Sequence, residues 1–162
     1  MKVVDLRVRK SQMEAPIPIH DVIGPACVES ERSGRVYLVL RDGCIFDLQT
    51  FDCFADKKWV HNFNCCVPLN FEFVGESWKS KIENGRVLND KKSCMFRELC
   101  PGDAFTCERS NEVRILARMR DHRGKEKVGR AINLSTMGLC QRDYSDSERV
   151  TIHNMRLVIL DR

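Results

Sequence analysis

Short runs in which apolar and polar residues alternate recur along the chain, and this pattern predicts β-strands rather than helices. Arg35–Arg41 and Glu112–Met119 have the length and the β-branched and apolar composition of strands. Asp42-Gly43 follows the first run and predicts a hairpin into Cys44–Leu48, because Gly adopts the positive φ that a type I′ turn requires. No stretch keeps a helical period over three turns.

The predicted strands occur twice, in the same order. Glu31–Arg41 matches Glu108–Arg118 without a gap at an offset of 77 residues, with five identities. Further collinear matches are Ile19–Val22 with Phe96–Leu99, Phe46–Thr50 with Ile132–Thr136, and Val60–Asn62 with Ile152–Asn154. Four matches in one order predict a tandem duplication. Because the offset grows from 77 to 86, the second copy carries nine extra residues, which fall within Met119–Gly129.

These observations predict an all-β protein made of two small β-barrel or meander units related by internal duplication. The expected boundaries are an N-terminal extension at 1–16, a first unit at 17–73, a linker at 74–94 and a second unit at 95–162. The linker is polar and contains Gly75 and Gly85, so we expect it to be irregular or partly helical. A unit of about 60 residues buries only a marginal core, so the copies should pack together or the protein should form a homodimer.

Composition indicates a folded protein of 162 residues, 43% of them hydrophobic, with a net charge of +4. The N-terminus never reaches the apolar run of a signal peptide or a membrane span. The nine cysteines are odd in number and lack an export signal, so we expect reduced thiols and a cytoplasmic protein without a membrane partner.

Two segments of the second copy carry a resemblance. Phe96-Arg-Glu-Leu-Cys-Pro-Gly-Asp-Ala-Phe105 and Ala131-Ile-Asn-Leu-Ser-Thr-Met-Gly-Leu139 resemble a pattern of small uncharacterised bacteriophage proteins, F-x-D-L-x-x-G-D-x-F followed by A-x-N-L-x-T-G-x-L. Met137 interrupts the Thr-Gly step of that pattern. The resemblance implies a phage-type accessory protein with a compact β-barrel, acting in the host cytoplasm, and it implies no reaction.

Zinc sites use closely spaced ligand pairs, such as two cysteines separated by two residues. Here Cys65 and Cys66 are adjacent, and Cys94, Cys100 and Cys107 are separated by five and six residues. We therefore predict no metal site and no cofactor. Phosphate-binding glycine loops, G-x-S-x-G and H-E-x-x-H are absent from the sequence, so we expect no catalytic residues and no enzyme activity.

A zinc protein or a Cys/His enzyme nevertheless stays open as a weaker alternative. A nucleophilic thiol needs only a histidine nearby in space, and Cys53, Cys65 or Cys66 can be placed beside His61 on the sequence alone. The simpler interpretation of His61 and His153 is a hydrogen-bonded corner in each copy.

The inserted loop and its flanks carry the strongest charge signal in the chain, a net +5 over residues 114–130. Its basic residues are Arg114, Arg118, Arg120, Arg123, Lys125, Lys127 and Arg130. Such a cluster either contacts phosphates or acidic side chains or only keeps an exposed hairpin soluble. Trp78, next to Lys79 in the linker, is a second candidate anchor for a partner.

The leading hypothesis is a non-enzymatic phage-type binding protein that inhibits or modulates a host protein, for example a nuclease, by covering its working surface. The alternative is a small-barrel nucleic-acid-binding module, with Arg118, Arg120, Arg123, Lys125 and Lys127 on phosphates. The basic loop contains no aromatic residue on which a base can stack, and this favours the protein partner.

Overall fold

The computed structural model describes residues 1–6, 15–54, 65–75, 81–83, 86–88, 92–120, 126–140 and 142–160. In these ranges the regular structure consists of strands and two 3-10 helices, Ile19–Asp21 and Phe96–Glu98. The strands are β1 (Lys2–Asp5), β2 (Ile17–Pro18), β3 (Ala26–Ser30), β4 (Val36–Val39), β5 (Ile45–Asp47), β6 (Asp52–Phe54), β7 (Cys65–Gly75), β8 (Lys81–Glu83), β9 (Arg86–Leu88), β10 (Lys92–Met95), β11 (Ala104–Cys107), β12 (Arg114–Arg120), β13 (Glu126–Asn133), β14 (Gly138–Leu139), β15 (Arg149–His153) and β16 (Met155–Leu160). The prediction of a mainly β protein is confirmed.

Fourteen of the strands belong to one curled, barrel-like sheet. Its main path runs β1-β16-β7-β3-β4-β5-β6-β12-β11-β15-β10, with β2 on β7, β13 on β12 and β14 on β13. Only Asn154 separates β15 from β16 along the chain, so the path that leaves β7 through β3 returns to β7 through β16. β1 adds a parallel strand to β16, so part of the predicted N-terminal extension belongs to the sheet.

The strand pairs of the first half, β2–β7, recur in the second half, β10–β16, in the same register. Five residue pairs of the first half have counterparts in the second half. Ile17–Cys66 corresponds to Cys94–Val150, Cys27–Leu69 to Ala104–His153, Cys27–Leu38 to Ala104–Ile115, Leu38–Phe46 to Ile115–Ile132, and Phe46–Cys53 to Ile132–Leu139. The offsets are those of the sequence matches up to β6, 77 and then 86 residues. For β7 and β15 the offset is 84, so Leu69, not His61, corresponds to His153. Val60–Asn62 lies outside the described residues. Its expected match with Ile152–Asn154 has a different offset from the one that relates β7 to β15.

The linker prediction requires a correction. β8 and β9 pair antiparallel, with Ile82 opposite Val87, so the described part of this segment is neither irregular nor helical. Asn84-Gly85 stands between the two strands in the sequence, and this dipeptide is typical of two-residue hairpin turns. The polar composition of the segment favoured an irregular connection, but the turn dipeptide was the correct signal. In addition, β7 continues to Gly75 and β10 begins at Lys92, inside the expected linker.

The main hydrophobic core is shared by the two halves. It joins Cys27, Leu38, Leu40, Cys44, Phe46, Leu48 and Cys53 to Ala104, Ile115, Ala117, Met119, Ile132, Leu157 and Ile159. Each half also buries an outer cluster on the opposite face of its strands. These clusters are Ile19, Val22, Val28, Tyr37, Val39, Ile45 and Cys66 in the first half and Phe96, Leu99, Phe105, Cys107, Leu116, Ala131 and Val150 in the second.

Two turn residues with left-handed backbone link the halves. Phe51 has φ 60° and Met137 has φ 52°, a conformation that residues with a Cβ adopt at some cost. The carbonyl of Phe51 accepts the Arg118 N–H at 2.8 Å, and the carbonyl of Met137 accepts the Arg41 N–H at 2.8 Å. Met137 therefore occupies a backbone conformation that glycine adopts more readily.

We expect Gly24→Ala to destabilise the protein by about 1–3 kcal/mol, the usual range for overpacking. A Cβ at Gly24 would lie 2.1 Å from the carbonyl oxygen of Leu40, and backbone atoms cannot move away cheaply. Gly75→Ala is the matched control, because its Cβ would meet only Met155 Sδ, at 3.6 Å. Urea denaturation of the two variants checks this, and equal losses in both would contradict the packing described.

We expect Leu38→Ala and Ile115→Ala each to cost about 2–5 kcal/mol and to weaken both halves together. The two side chains are fully buried in the shared core. Native-state hydrogen exchange should show protection falling in β3–β5 and in β11–β13 for either variant. A loss confined to the mutated half would show that the halves unfold independently.

Candidate functional site

Five of the predicted basic residues lie on β12 and β13: Arg114, Arg118, Arg120, Lys127 and Arg130. Arg120 is opposite Glu126 and Lys127 is opposite Met119, at the far end of the described strand pair. Arg123 and Lys125 of the same group, and the separate candidate Trp78, lie outside the described residues.

Arg118 and Arg130 lie nearer the base of the hairpin and are partly exposed. Arg118 Nη1 is 3.9 Å from Asp52 Oδ1, across the parallel contact between β12 and β6. Arg130 is opposite Ala117, whose side chain belongs to the shared core. The base of the hairpin is therefore formed by strands of the main sheet, and both cations lie at the edge of the core.

Arg114 occupies a different environment from the other basic residues. Only 11% of its side chain is exposed. Its Nη1 donates to the Glu112 carbonyl at 3.2 Å and to Ser110 Oγ at 3.4 Å, and its Nη2 is 3.4 Å from Glu112 Oε2. Glu112 Oε2 also accepts the Asn133 amide at 2.9 Å. Arg114 is thus held inside a polar network and is not part of an exposed basic surface.

Two guanidinium groups converge on one thiol beside this network. Arg114 Nη1 lies 3.7 Å and Arg142 Nη1 3.6 Å from Cys107 Sγ. Burial nevertheless raises the pKa of the Cys107 thiol, and the two arginines only partly offset that effect. At neutral pH the group is therefore a neutral thiol rather than a nucleophilic thiolate.

An aromatic stack closes the outer side of the same region. Tyr144 stacks on Phe96 with ring centroids 4.8 Å apart, and the Arg142 guanidinium lies 4.8 Å from the centre of the Tyr144 ring. Arg142 also forms an ion pair with Glu148. Burial, followed by the neighbouring Cys140, raises the pKa of Tyr144. The Tyr144 hydroxyl and Arg114 Nε are buried without a hydrogen bond of good geometry to the described residues. We call Cys107, Arg114, Cys140, Arg142 and Tyr144 the Arg114 cluster.

Sequence reasoning placed Arg114 in the wrong environment and overlooked Arg142 and Tyr144. Alternation along β12 was the available signal for Arg114: it lies on the same face of the strand as Leu116, which belongs to the outer cluster. Arg142 and Tyr144 follow β14 in a polar segment, and no periodic pattern marks them. What the Arg114 cluster can do chemically is hold the segment 142–148 against the barrel.

The other candidate groups do not assemble into a metal centre or a catalytic set within the described ranges. None of the nine cysteines is in a disulfide, and no group of three or more His, Cys, Asp or Glu side chains there is placed to hold a metal ion. A hydrogen bond with Cys44, together with burial, raises the pKa of the Cys53 thiol. His153 Nε2 is 2.8 Å from Thr106 Oγ1, which fits the hydrogen-bonded interpretation of this histidine. His61 lies outside the described residues.

Comparisons of this chain with protein-family models, with curated proteins and with solved structures find no match. No helix in the described residues is long and apolar enough to cross a membrane.

Thiol reactivity provides a direct check of the site geometry. We expect iodoacetamide at pH 7.5 to modify the exposed Cys100 first and the buried Cys53 and Cys107 last, because burial limits access to these thiols and their raised pKa values keep them protonated. Mass spectrometry of peptides over a time course measures the order. Cys107 modified as fast as Cys100 would contradict the environment described here.

The raised pKa values of the same thiols predict that stability depends on pH. In the unfolded chain they ionise near 9.0, while the folded state keeps them protonated to higher pH. The folded state then binds more protons, so the free energy of unfolding should fall as the pH rises through 9 and above. Replacing Cys107 with Ser should reduce that fall, and an unchanged pH dependence would argue against the contribution of Cys107.

Proposed function

We propose that the chain is a non-enzymatic binding protein that presents the basic β12–β13 hairpin to an acidic surface of a partner protein. The observation that carries the proposal is the way the hairpin is mounted. Ile115, Ala117 and Met119 of β12 belong to the shared core, so core packing holds the described base of the hairpin. A pre-organised base lowers the entropic cost of binding.

The binding surface comprises the predicted basic residues other than Arg114, whose burial removes it. These residues are Arg118, Arg120, Arg123, Lys125, Lys127 and Arg130. Binding removes water from these charges, and this costs free energy unless the partner supplies opposite charges. A partner with carboxylates in complementary positions is therefore favoured.

We further propose that the two halves arose by tandem duplication, which the recurring strand register supports. On this basis the hairpin is the place where the second half diverged. In the first half, Asp42-Gly43 closes the turn after β4, whereas the β12–β13 pair extends to Arg120 and Glu126. A basic extension added to one copy of a repeated framework is a natural position for a binding function.

The partner class follows from the charge and from the resemblance to bacteriophage proteins. We propose a host protein that handles nucleic acid, such as a nuclease, whose working surface the hairpin covers. Direct binding of DNA or RNA is the alternative, because phosphates attract the same cations. The lack of aromatic residues in 114–130 favours the protein partner.

Charge reversal in the hairpin tests the proposal. We expect the triple variant Arg123→Glu, Lys125→Glu and Lys127→Glu to lose a stoichiometric protein that the unmodified chain retains from nuclease-treated bacterial lysate. Affinity should fall by at least about tenfold, since each close charge pair contributes on the order of 1.5 kcal/mol or more. The matched control reverses three exposed arginines elsewhere, Arg32, Arg97 and Arg109, and should keep the partner.

Two results would count against the proposed function. If labelled DNA or RNA binds with steep salt dependence and the hairpin variant loses that binding, the nucleic-acid alternative is correct. If the hairpin and control variants behave alike towards both protein and nucleic acid, the basic hairpin only provides solubility.

A further inference from the structure

The contacts between the two halves are related by an approximate two-fold axis. In the β7–β16 pair, Phe73 is opposite Leu157, and these two residues are 84 positions apart, the offset that relates β7 to β15. On either side of that pair, Gly75 is opposite Met155 and Phe71 is opposite Ile159. Adding 84 to residue number 75 gives 159, and subtracting 84 from residue number 155 gives 71. The offset therefore converts the Gly75–Met155 pair into the Ile159–Phe71 pair. The β7–β16 contact is therefore self-complementary.

A second set of contacts between the halves has the same property. Arg118 N–H donates to the Phe51 carbonyl, and Arg41 N–H donates to the Met137 carbonyl, both at 2.8 Å. Arg41 corresponds to Arg118 at an offset of 77, and Phe51 corresponds to Met137 at an offset of 86. Exchange of the two halves converts one hydrogen bond into the other.

The shared core follows the same rule. Cys27, Leu38 and Phe46 of the first half occupy the register positions of Ala104, Ile115 and Ile132 in the second, and all six side chains belong to one core. Equivalent patches of the two halves thus contact each other, which is the arrangement of an isologous dimer interface. Such an interface needs no particular covalent connection between its two sides.

We infer that the surface between the halves is a dimerisation surface, and that its partner can be supplied by a second copy of this chain. In the exchanged assembly, the first half of one copy closes a barrel with the second half of the other. Every β7–β16 and β6–β12 pair is retained between the two copies. The inference does not depend on the proposed function of the hairpin.

Concentration decides between the two assemblies. A tethered half has an effective concentration in the millimolar range for its own partner, so at micromolar concentration the chain closes on itself. Damage to one half of each of two copies removes that competition, because an intact barrel then requires halves from different chains.

Complementation between full-length variants tests the inference. One copy carries Leu38→Asp and the other Ile115→Asp, so each places a carboxylate in the core and should fail to fold alone. Refolded together, the intact second half of the first copy and the intact first half of the other should form one barrel per two chains. The amplitude of the cooperative unfolding transition, measured per chain by circular dichroism, should be about half that of the wild type, because two copies form one barrel. Light scattering should show a 1:1 complex.

The control mixes Leu38→Asp with Phe46→Asp, which both damage the first half. This mixture has no intact first half and should stay as unfolded as its components. The inference is overturned if the mixture of Leu38→Asp and Ile115→Asp also gains no structure. Recovery in both mixtures would overturn it as well, because non-specific association would then explain the gain. If either variant folds alone, the experiment is repeated with Leu38→Asp/Phe46→Asp against Ile115→Asp/Ile132→Asp, to which the same outcomes apply.

Discussion

Burial of one apolar core between the two halves is the constraint on which the rest of this structure depends. Phe46 and Ile132 occupy corresponding strand positions and are both fully buried in that core. A half of this size buries too little surface to offset its conformational entropy comfortably. Sharing the core solves this problem, because the inner face of each half is covered by the other. The curled sheet and the crossing hydrogen bonds at Phe51 and Met137 follow from that arrangement.

The sequence predicted those parts of the fold that depend on local pattern. Strand composition located β4, β5 and β12, and Asp42-Gly43 marked the turn after β4. The matches around Ile19, Leu38 and Phe46 have the offsets that the strand register later gave. Short segments of this kind carry their own information, because side-chain alternation and turn chemistry act over a few residues.

What the sequence did not reveal depends on contacts between distant residues. The parallel β6–β12 contact and the antiparallel β7–β16 contact join strands more than 60 residues apart, and no local pattern encodes such a pairing. The match of Val60–Asn62 with Ile152–Asn154 was misleading for a related reason. Three residues can resemble each other by composition, while the register of β7 is fixed by its pairing with β3 along Ser30–Cys27. Arg114 was assigned by charge alone, although its strand face directs it into the outer cluster.

The two halves differ at corresponding strand positions of their outer faces. Tyr37 and Arg114 occupy the same register position, opposite Asp47 and Asn133. In the first half, Asp47 Oδ2 accepts Arg35 Nη1 at 3.2 Å, whereas in the second half the Asn133 amide donates to Glu112 Oε2.

Both halves have a polar bridge at this position, but the donor and the acceptor are exchanged, and the second half adds a buried arginine beside a thiol. Inner positions stay apolar in both halves, because a polar group there would lack a partner. Outer positions are free of that restriction. The second half therefore differs from the first at Arg114, in the segment that carries Arg142 and in the basic hairpin, while the inner positions of both halves stay apolar.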